Sequence, residues 1–296
     1  MITETAMRNL EWLGDRYCCE HLREYDINEL LNNPTSALRF VLASAFQRGR
    51  GFDLSNRYFN YADQVLLSRL PNMAEGSQAL KPLANELSVQ RIDEHINRVS
   101  DIRCDCLNNP PERNPSLAHA LCPHLKEHST DFLATNPPAL PLNNSKDLKM
   151  VGGVIDLASR IGNILAQLNA NLVQDGPLAA YTYLTTGEGR VRYIGEKIAA
   201  LLIQDLCLLT DYRAADNRDR KELRGLFPVD TLVTRVAQAF RAPTNTTNAI
   251  KDFFIESCTT HNPAKIAAGI WYMARQPLAL FVELCLPNCD FGAPGV

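Results

Sequence analysis

The sequence predicts an all-α fold, and three observations carry that prediction. Apolar side chains recur at three- and four-residue spacing through most of the chain. Alternating polar and apolar runs, the mark of half-buried strands, are scarce. Segments rich in proline and asparagine separate the periodic stretches. In Pro34–Phe46 the helical spacing is clear, and Asn33 ahead of Pro34 supplies an N-cap followed by proline at the first helical position. Met150–Leu168 repeats the pattern, with Val154, Leu157, Ile161, Leu165 and Leu168 on one stripe. Residues 101–116 and 134–147 read as irregular chain, with a short helical piece around Leu117–Ser129 between them. The chain thus divides into a helical region at 1–100 that packs with the C-terminal helices, and an irregular insertion or connector at 101–148. A helical lobe at 149–245 and the C-terminal helices at 246–296 follow.

Composition bounds the function. The 296 residues are 46% hydrophobic and 21% charged, too apolar for a disordered chain. No run of about 18 apolar residues exists to span a membrane, and Met1–Trp12 lacks the basic and apolar regions of a secretory signal. Nine cysteines, an odd number, then suit reduced thiols and a cytoplasmic protein. The glycosylation patterns at Asn143 and Asn245 carry no expectation in that compartment. A net charge of −3 gives no global basic field, which counts mildly against a nucleic-acid partner.

Chemistry concentrates in two segments. Residues 176–200 run from an apolar helix through a glycine-containing turn into a second helix opened by Ile194-Gly195-Glu196-Lys197-Ile198-Ala199. A glycine there lets backbone N–H groups at a helix N-terminus approach an anion such as a phosphodiester. Its ordinary role is a helix–helix turn. Thirty residues on, Pro228-Val229-Asp230-Thr231-Leu232-Val233-Thr234-Arg235-Val236 opens another helix, and the ordinary role of Asp230 is its N-cap.

Taken in order, Tyr193–Ala199 and Val229–Val236 resemble the helix-hairpin-helix DNA glycosylase superfamily. That superfamily pairs a hairpin G-[IV]-G-x-K-x-A with a later V-D-x-x-V-x-R-[VI]. The resemblance is specific over 178–240 and architectural elsewhere. It implies a two-lobed all-α architecture and a DNA glycosylase with abasic-site lyase activity, acting as a monomer on double-stranded DNA that contains a damaged base. A base of the 8-oxoguanine type is expected. Lys197 stands at the position of the nucleophilic lysine that attacks C1′ and forms a Schiff base. That amine must be neutral, so burial among Ile194, Ile198 and Leu201 or a cationic neighbour has to favour the uncharged form. Asp230 matches the aspartate that stabilises the developing oxocarbenium charge and helps deprotonate the lysine. Arg192, Tyr193, Ile194, Gly195 and Arg235 are the expected DNA contacts. No cofactor is required for catalysis. The alternatives are a non-catalytic helix-hairpin-helix protein that binds nucleic acid or another protein, and a monofunctional glycosylase.

The sequence also departs from the pattern. Tyr193 replaces the first hairpin glycine, Arg192 the usual proline, and Leu232 a histidine common after the aspartate. The separation of 33 positions from Lys197 to Asp230 exceeds that in the endonuclease III branch and looks more like the archaeal 8-oxoguanine glycosylases. The four-cysteine iron–sulfur signature is missing. Extrusion of the base calls for an aromatic or apolar stack, for which Phe253, Phe254, Trp271, Tyr272, Phe46 and Phe52 are candidates, each more ordinary as core.

Charge and soft ligands add weaker signals. Residues 186–241 hold ten Lys/Arg against eight Asp/Glu, a slightly basic segment in an acidic chain. Gln47-Arg48-Gly49-Arg50-Gly51 is a further basic loop, either a solvated turn or a backbone contact. A structural metal could be held by Cys104, Cys106, Cys122 and His124, or by Cys258, His261, Cys285 and Cys289, although neither spacing is regular. Cys18, Cys19 and Cys207 read as small hydrophobes. Signatures of nucleotide hydrolysis, dinucleotide redox chemistry and serine hydrolysis are absent.

Overall fold

Side-chain caps mark where the helices begin in the computed structural model, which describes residues 2–47, 52–70, 77–93, 145–212 and 220–275. The Thr3 hydroxyl accepts from Ala6 N–H at 3.2 Å and opens α1 (Glu4–Tyr17), which runs on into a π-turn at Cys18–Leu22. After α2 (Ile27–Asn32), Asn33 Oδ1 accepts from Thr35 and Ser36 N–H and starts α3 (Pro34–Ala45), the cap and proline placement expected from the sequence. Next come α4 (Phe52–Leu67), a 3₁₀ turn at Ser77–Leu80, α5 (Lys81–Glu86), α6 (Ser145–Ile161), α7 (Ile164–Asp175) and α8 (Pro177–Thr185). The series closes with α9 (Glu196–Leu209), a 3₁₀ segment at Arg220–Leu226, α10 (Thr231–Ala239), α11 (Thr247–Ser257) and α12 (Pro263–Met273). Among the described residues every regular element is helical, so the all-α expectation holds. None of these helices is long and apolar enough to cross a membrane.

Two corrections follow. The stripe from Met150 to Leu168 is not one helix: Gly162 takes a left-handed φ of 79° and ends α6, and α7 starts at Ile164. Asn163 makes the break a defined corner. Its carbonyl oxygen caps Ala166 N–H, while its amide donates to the carbonyls of Leu30 and Leu31 at the end of α2, groups that helix geometry leaves unpaired. The second correction concerns the connector, because α6 already opens at Ser145. The piece around Leu117–Ser129 and the rest of 101–144 lie outside the described residues.

The chain also divides along other lines than the sequence boundaries. One unit comprises Met1–Glu29, Leu168–Glu188 and Glu196–Val296; the other comprises Leu30–Gln167 and Gly189–Gly195. In the second, α6 packs on α3, α5 and the Ser77–Leu80 turn, burying Val151, Val154, Ile155 and Ala158 completely. Arg39 grips Asp63 through two hydrogen bonds of 2.7 and 2.8 Å between α3 and α4.

In the first unit the N-terminal helix packs on the last described one. Where α1 and α12 cross, Gly14 faces the Lys265 carbonyl and Gly269 the Leu10 carbonyl, each so near that a Cβ would collide with backbone. Leu10, Ile266 and Ile270 fill the seam around them. At one end of the seam His261 Nδ1 lies 2.7 Å from Glu11 and Nε2 3.0 Å from Glu4, and Asn262 then caps α12. Phe227, Phe240, Phe253 and Phe254 cluster beside α11, with ring centres 5.5–6.3 Å from Phe254. Replacing Gly269 with alanine should force the two helices apart and lower stability by about 1–3 kcal/mol. Thermal unfolding of Gly269→Ala beside the parent checks this, and an unchanged Tm would contradict the close crossing.

Candidate active site

The turn ahead of α9 is built by local rules with one exception. Ile194 N–H donates to the Val191 carbonyl at 3.1 Å, and both side chains are buried. Tyr193, between these two residues, has φ 71°, a left-handed conformation that an aromatic residue seldom adopts. It occupies the very position where the family pattern has glycine. The Arg192 guanidinium lies 5.4 Å from the Tyr193 ring centre, a cation–π contact at the surface. Nothing comes within 4 Å of where a Cβ on Gly195 would stand, so the backbone there is open on the side that would carry a side chain.

Lys197 is the second residue of α9, whose Ile198 and Leu201 are buried. Asp230 caps α10 as expected: its Oδ1 accepts from Leu232 N–H at 2.9 Å and Val233 N–H at 3.0 Å. Its other oxygen, Oδ2, faces Lys197 Nζ at 3.8 Å. The two side chains are 19% and 17% exposed, so this ion pair is mostly desolvated. The helix cap and the ion pair therefore fall on different oxygens of one carboxylate.

Two residues complete the cluster. Arg275 NH2 donates to Asp230 Oδ2 at 2.7 Å, and its guanidinium stands 3.0 Å from the centre of the Trp271 ring. Lys197 Nζ is 5.4 Å from the same ring. Burial alone would raise the Asp230 carboxyl, but the Val233 N–H bond and the charges of Arg275 and Lys197 outweigh it and hold it below the usual carboxylate range. Behind them, on the same helix as Lys197, Asp205 is fully buried. Its Oδ1 accepts from Tyr17 O–H at 2.8 Å and from the Gln204 side-chain amide, Nε2, at 3.3 Å. Burial pushes Asp205 up to about 7 despite those two bonds, and burial with Asp205 raises the Tyr17 phenol as well.

Other expectations fare unevenly. The structure brings Lys197 and Asp230 together, whereas Arg192, Tyr193, Ile194 and Gly195 belong to the segment of the other unit. Arg235 lies exposed on α10. Trp271 is wholly buried under Arg275, with no hydrogen-bond partner for Nε1 among the described residues. Phe46 and Phe254 are core; Tyr272 is buried with its hydroxyl donating to Glu20. The side chain of Phe52 lies outside the described residues. Arg224 is bound to Asp252 at 2.6 Å, which removes one cation from the basic segment 186–241. Arg213, Arg218 and the loop 48–51 lie outside the described residues.

Among the described residues no group of three His, Cys, Asp or Glu side chains is arranged to hold a metal ion. Cys258 is buried, bonds to the Phe254 carbonyl, and has its thiol pushed up to about 12 by burial. Cys285, Cys289, Cys104, Cys106, Cys122 and His124 are outside the described residues. Cys207 is buried as expected, but Cys19 is exposed.

Arg275, Tyr17 and Asp205 went unnoticed in the sequence. The one local sign of Arg275 is its place four residues after Trp271, on the same helical face. No family model, no curated protein and no solved structure matches the chain.

Two outcomes follow from this geometry. Tyr193→Gly should relieve the left-handed strain and raise stability by about 1 kcal/mol, read as a higher denaturation midpoint. Asp205 binds its proton more tightly folded than unfolded, so its contribution is present at low pH and lost as pH rises from about 4 to about 7. Asp205→Asn, which keeps the shape and an acceptor for Tyr17, should flatten the fall of stability across that window. An unchanged pH slope would contradict the assignment.

Proposed function

We propose that the chain is a DNA glycosylase with abasic-site lyase activity that excises an oxidised or otherwise modified base, most simply one of the 8-oxoguanine type. The observation that carries this reading is the desolvated Lys197–Asp230 pair, with Nζ 3.8 Å from Oδ2, set on the two motifs that resemble the helix-hairpin-helix glycosylases. The chemistry needs an amine and a carboxylate that converge on one carbon. Lys197 first loses its ammonium proton to solvent and then, as the neutral amine, attacks C1′ of an extruded nucleotide. The N-glycosidic bond breaks, its electron pair leaves with the base, and a proton follows. Asp230 Oδ2 offsets the positive charge that grows on the sugar. The N–H groups of α10 hold Oδ1 and anchor one end of the carboxylate, while Oδ2 faces the amine.

Once the lysine nitrogen of the adduct has lost a proton, its lone pair forms C1′=N as the C1′–O4′ bond breaks. The electron pair of that bond goes to O4′, which takes up a proton, and the open-chain Schiff base results. Loss of the C2′ proton then expels the 3′ phosphate and nicks the strand. Gly195 supports the same reading, since no atom stands within 4 Å of where its Cβ would be, so no side chain screens the backbone there. The net charge of the chain argues for a grip made by few contacts, with a shallow dependence on salt.

Borohydride reduces a Schiff base to a stable amine and so joins protein to DNA. Screened over duplexes with different lesions, the parent should form such an adduct. Lys197→Gln should form none, and Asp230→Asn should slow its formation by about 100-fold or more. Base release without any adduct would indicate a monofunctional enzyme. Neither adduct nor base release on any lesion would defeat the proposal.

A further inference from the structure

Asp230 has two partners on one oxygen, and they are unequal. Arg275 reaches Oδ2 at 2.7 Å; Lys197 stands off at 3.8 Å. The bonds from Leu232 and Val233 fix only Oδ1, about which the carboxylate can still pivot. A loose lysine contact cannot stop that pivot, while a short hydrogen bond from a charged donor can.

Arg275 is itself immobilised. Its side chain is 3% exposed, its guanidinium lies over Trp271 at 3.0 Å, and NH1 donates to the Trp271 carbonyl at 3.4 Å. Trp271 in turn belongs to α12, which the glycine crossing seats against α1. A planar, stacked, bonded guanidinium is a rigid strut in a way an ammonium is not.

We infer that Arg275 is the positioning residue of this site: stacked on Trp271 and bonded to Asp230 Oδ2, it fixes where that oxygen faces Lys197. The step it serves rests on the glycosylase reading; the contact itself rests on geometry alone. The charged groups facing the Asp230 carboxylate are Lys197 from α9 and Arg275 from beyond the end of α12, joined by the N–H groups of α10. All favour the anion, so losing Arg275 makes Asp230 easier to protonate.

The test compares the parent with Arg275→Gln and Arg275→Lys by two readouts. One is the rate of borohydride trapping at saturating lesion duplex across pH; the other is the titration of the Asp230 carboxyl by carbon NMR. In Arg275→Gln trapping should fall on the order of 100-fold with DNA affinity unchanged, as expected for a misaimed catalytic group. The acid limb of the rate and the Asp230 midpoint should both move to higher pH. Arg275→Lys, which keeps the charge and loses the planar stack, should recover the midpoint more than the rate. Parent rate and parent midpoint in Arg275→Gln would overturn the inference.

Should Arg275→Gln fail to fold, Arg275→Lys decides: a slowed rate supports the strut, and the parent rate overturns it. If the parent traps on no lesion, the glycosylase reading fails, and the NMR titration alone judges the contact. A raised midpoint then sustains it, and an unmoved one overturns it.

Discussion

The candidate site hangs on the division of labour within one carboxylate. Asp230 Oδ1 closes the N-terminus of α10, and Oδ2 answers to Arg275 and Lys197. An aspartate that only capped would leave its second oxygen to water. One that only paired would lack a backbone to hold it. Because both duties are met, the helix start and the site geometry are one structural fact. The cations on Oδ2 cost desolvation, which the carboxylate charge and the Trp271 face offset.

That arrangement is reached through packing far from it. Tyr17 at the end of α1 meets Asp205 on the helix that carries Lys197, and Trp271 lies on the helix against which α1 is seated. The position of Lys197 thus depends on a seam whose tightness comes from two glycines. A buried acid, Asp205, which accepts from the Tyr17 hydroxyl, sits about two helical turns beyond the lysine. Asp230 and Asp205 therefore act on the pH dependence of stability in opposite directions. Asp230 contributes above the ordinary carboxylate range and loses its contribution as pH falls, while Asp205 favours the folded state at low pH.

What was legible in the sequence was local. Asn33 with Pro34, and Asp230 ahead of its helix, announce themselves because a cap and its target lie within three residues. Helical periodicity gives the all-α class for the same reason. The break at Gly162 was hidden because the apolar spacing continues across it, and only the backbone reveals the corner. Lys197 and Asp230 were legible as a pair through motif order, whereas Arg275 was not. It lies 45 residues from the carboxylate it binds, and no spacing rule links them. The two units were equally hidden, since each is assembled from segments far apart in the chain.

That discontinuity has a consequence for how the chain is made. α1 finds its partner only when α12 exists, about 250 residues later. At ribosomal speeds the N-terminal helix waits roughly 10–50 s with its apolar face unpaired. During that interval the segment 30–167, which needs only Gly189–Gly195 to complete its unit, can gather first. The Lys197–Asp230 pair then takes shape after that segment, because α1 must close on α12.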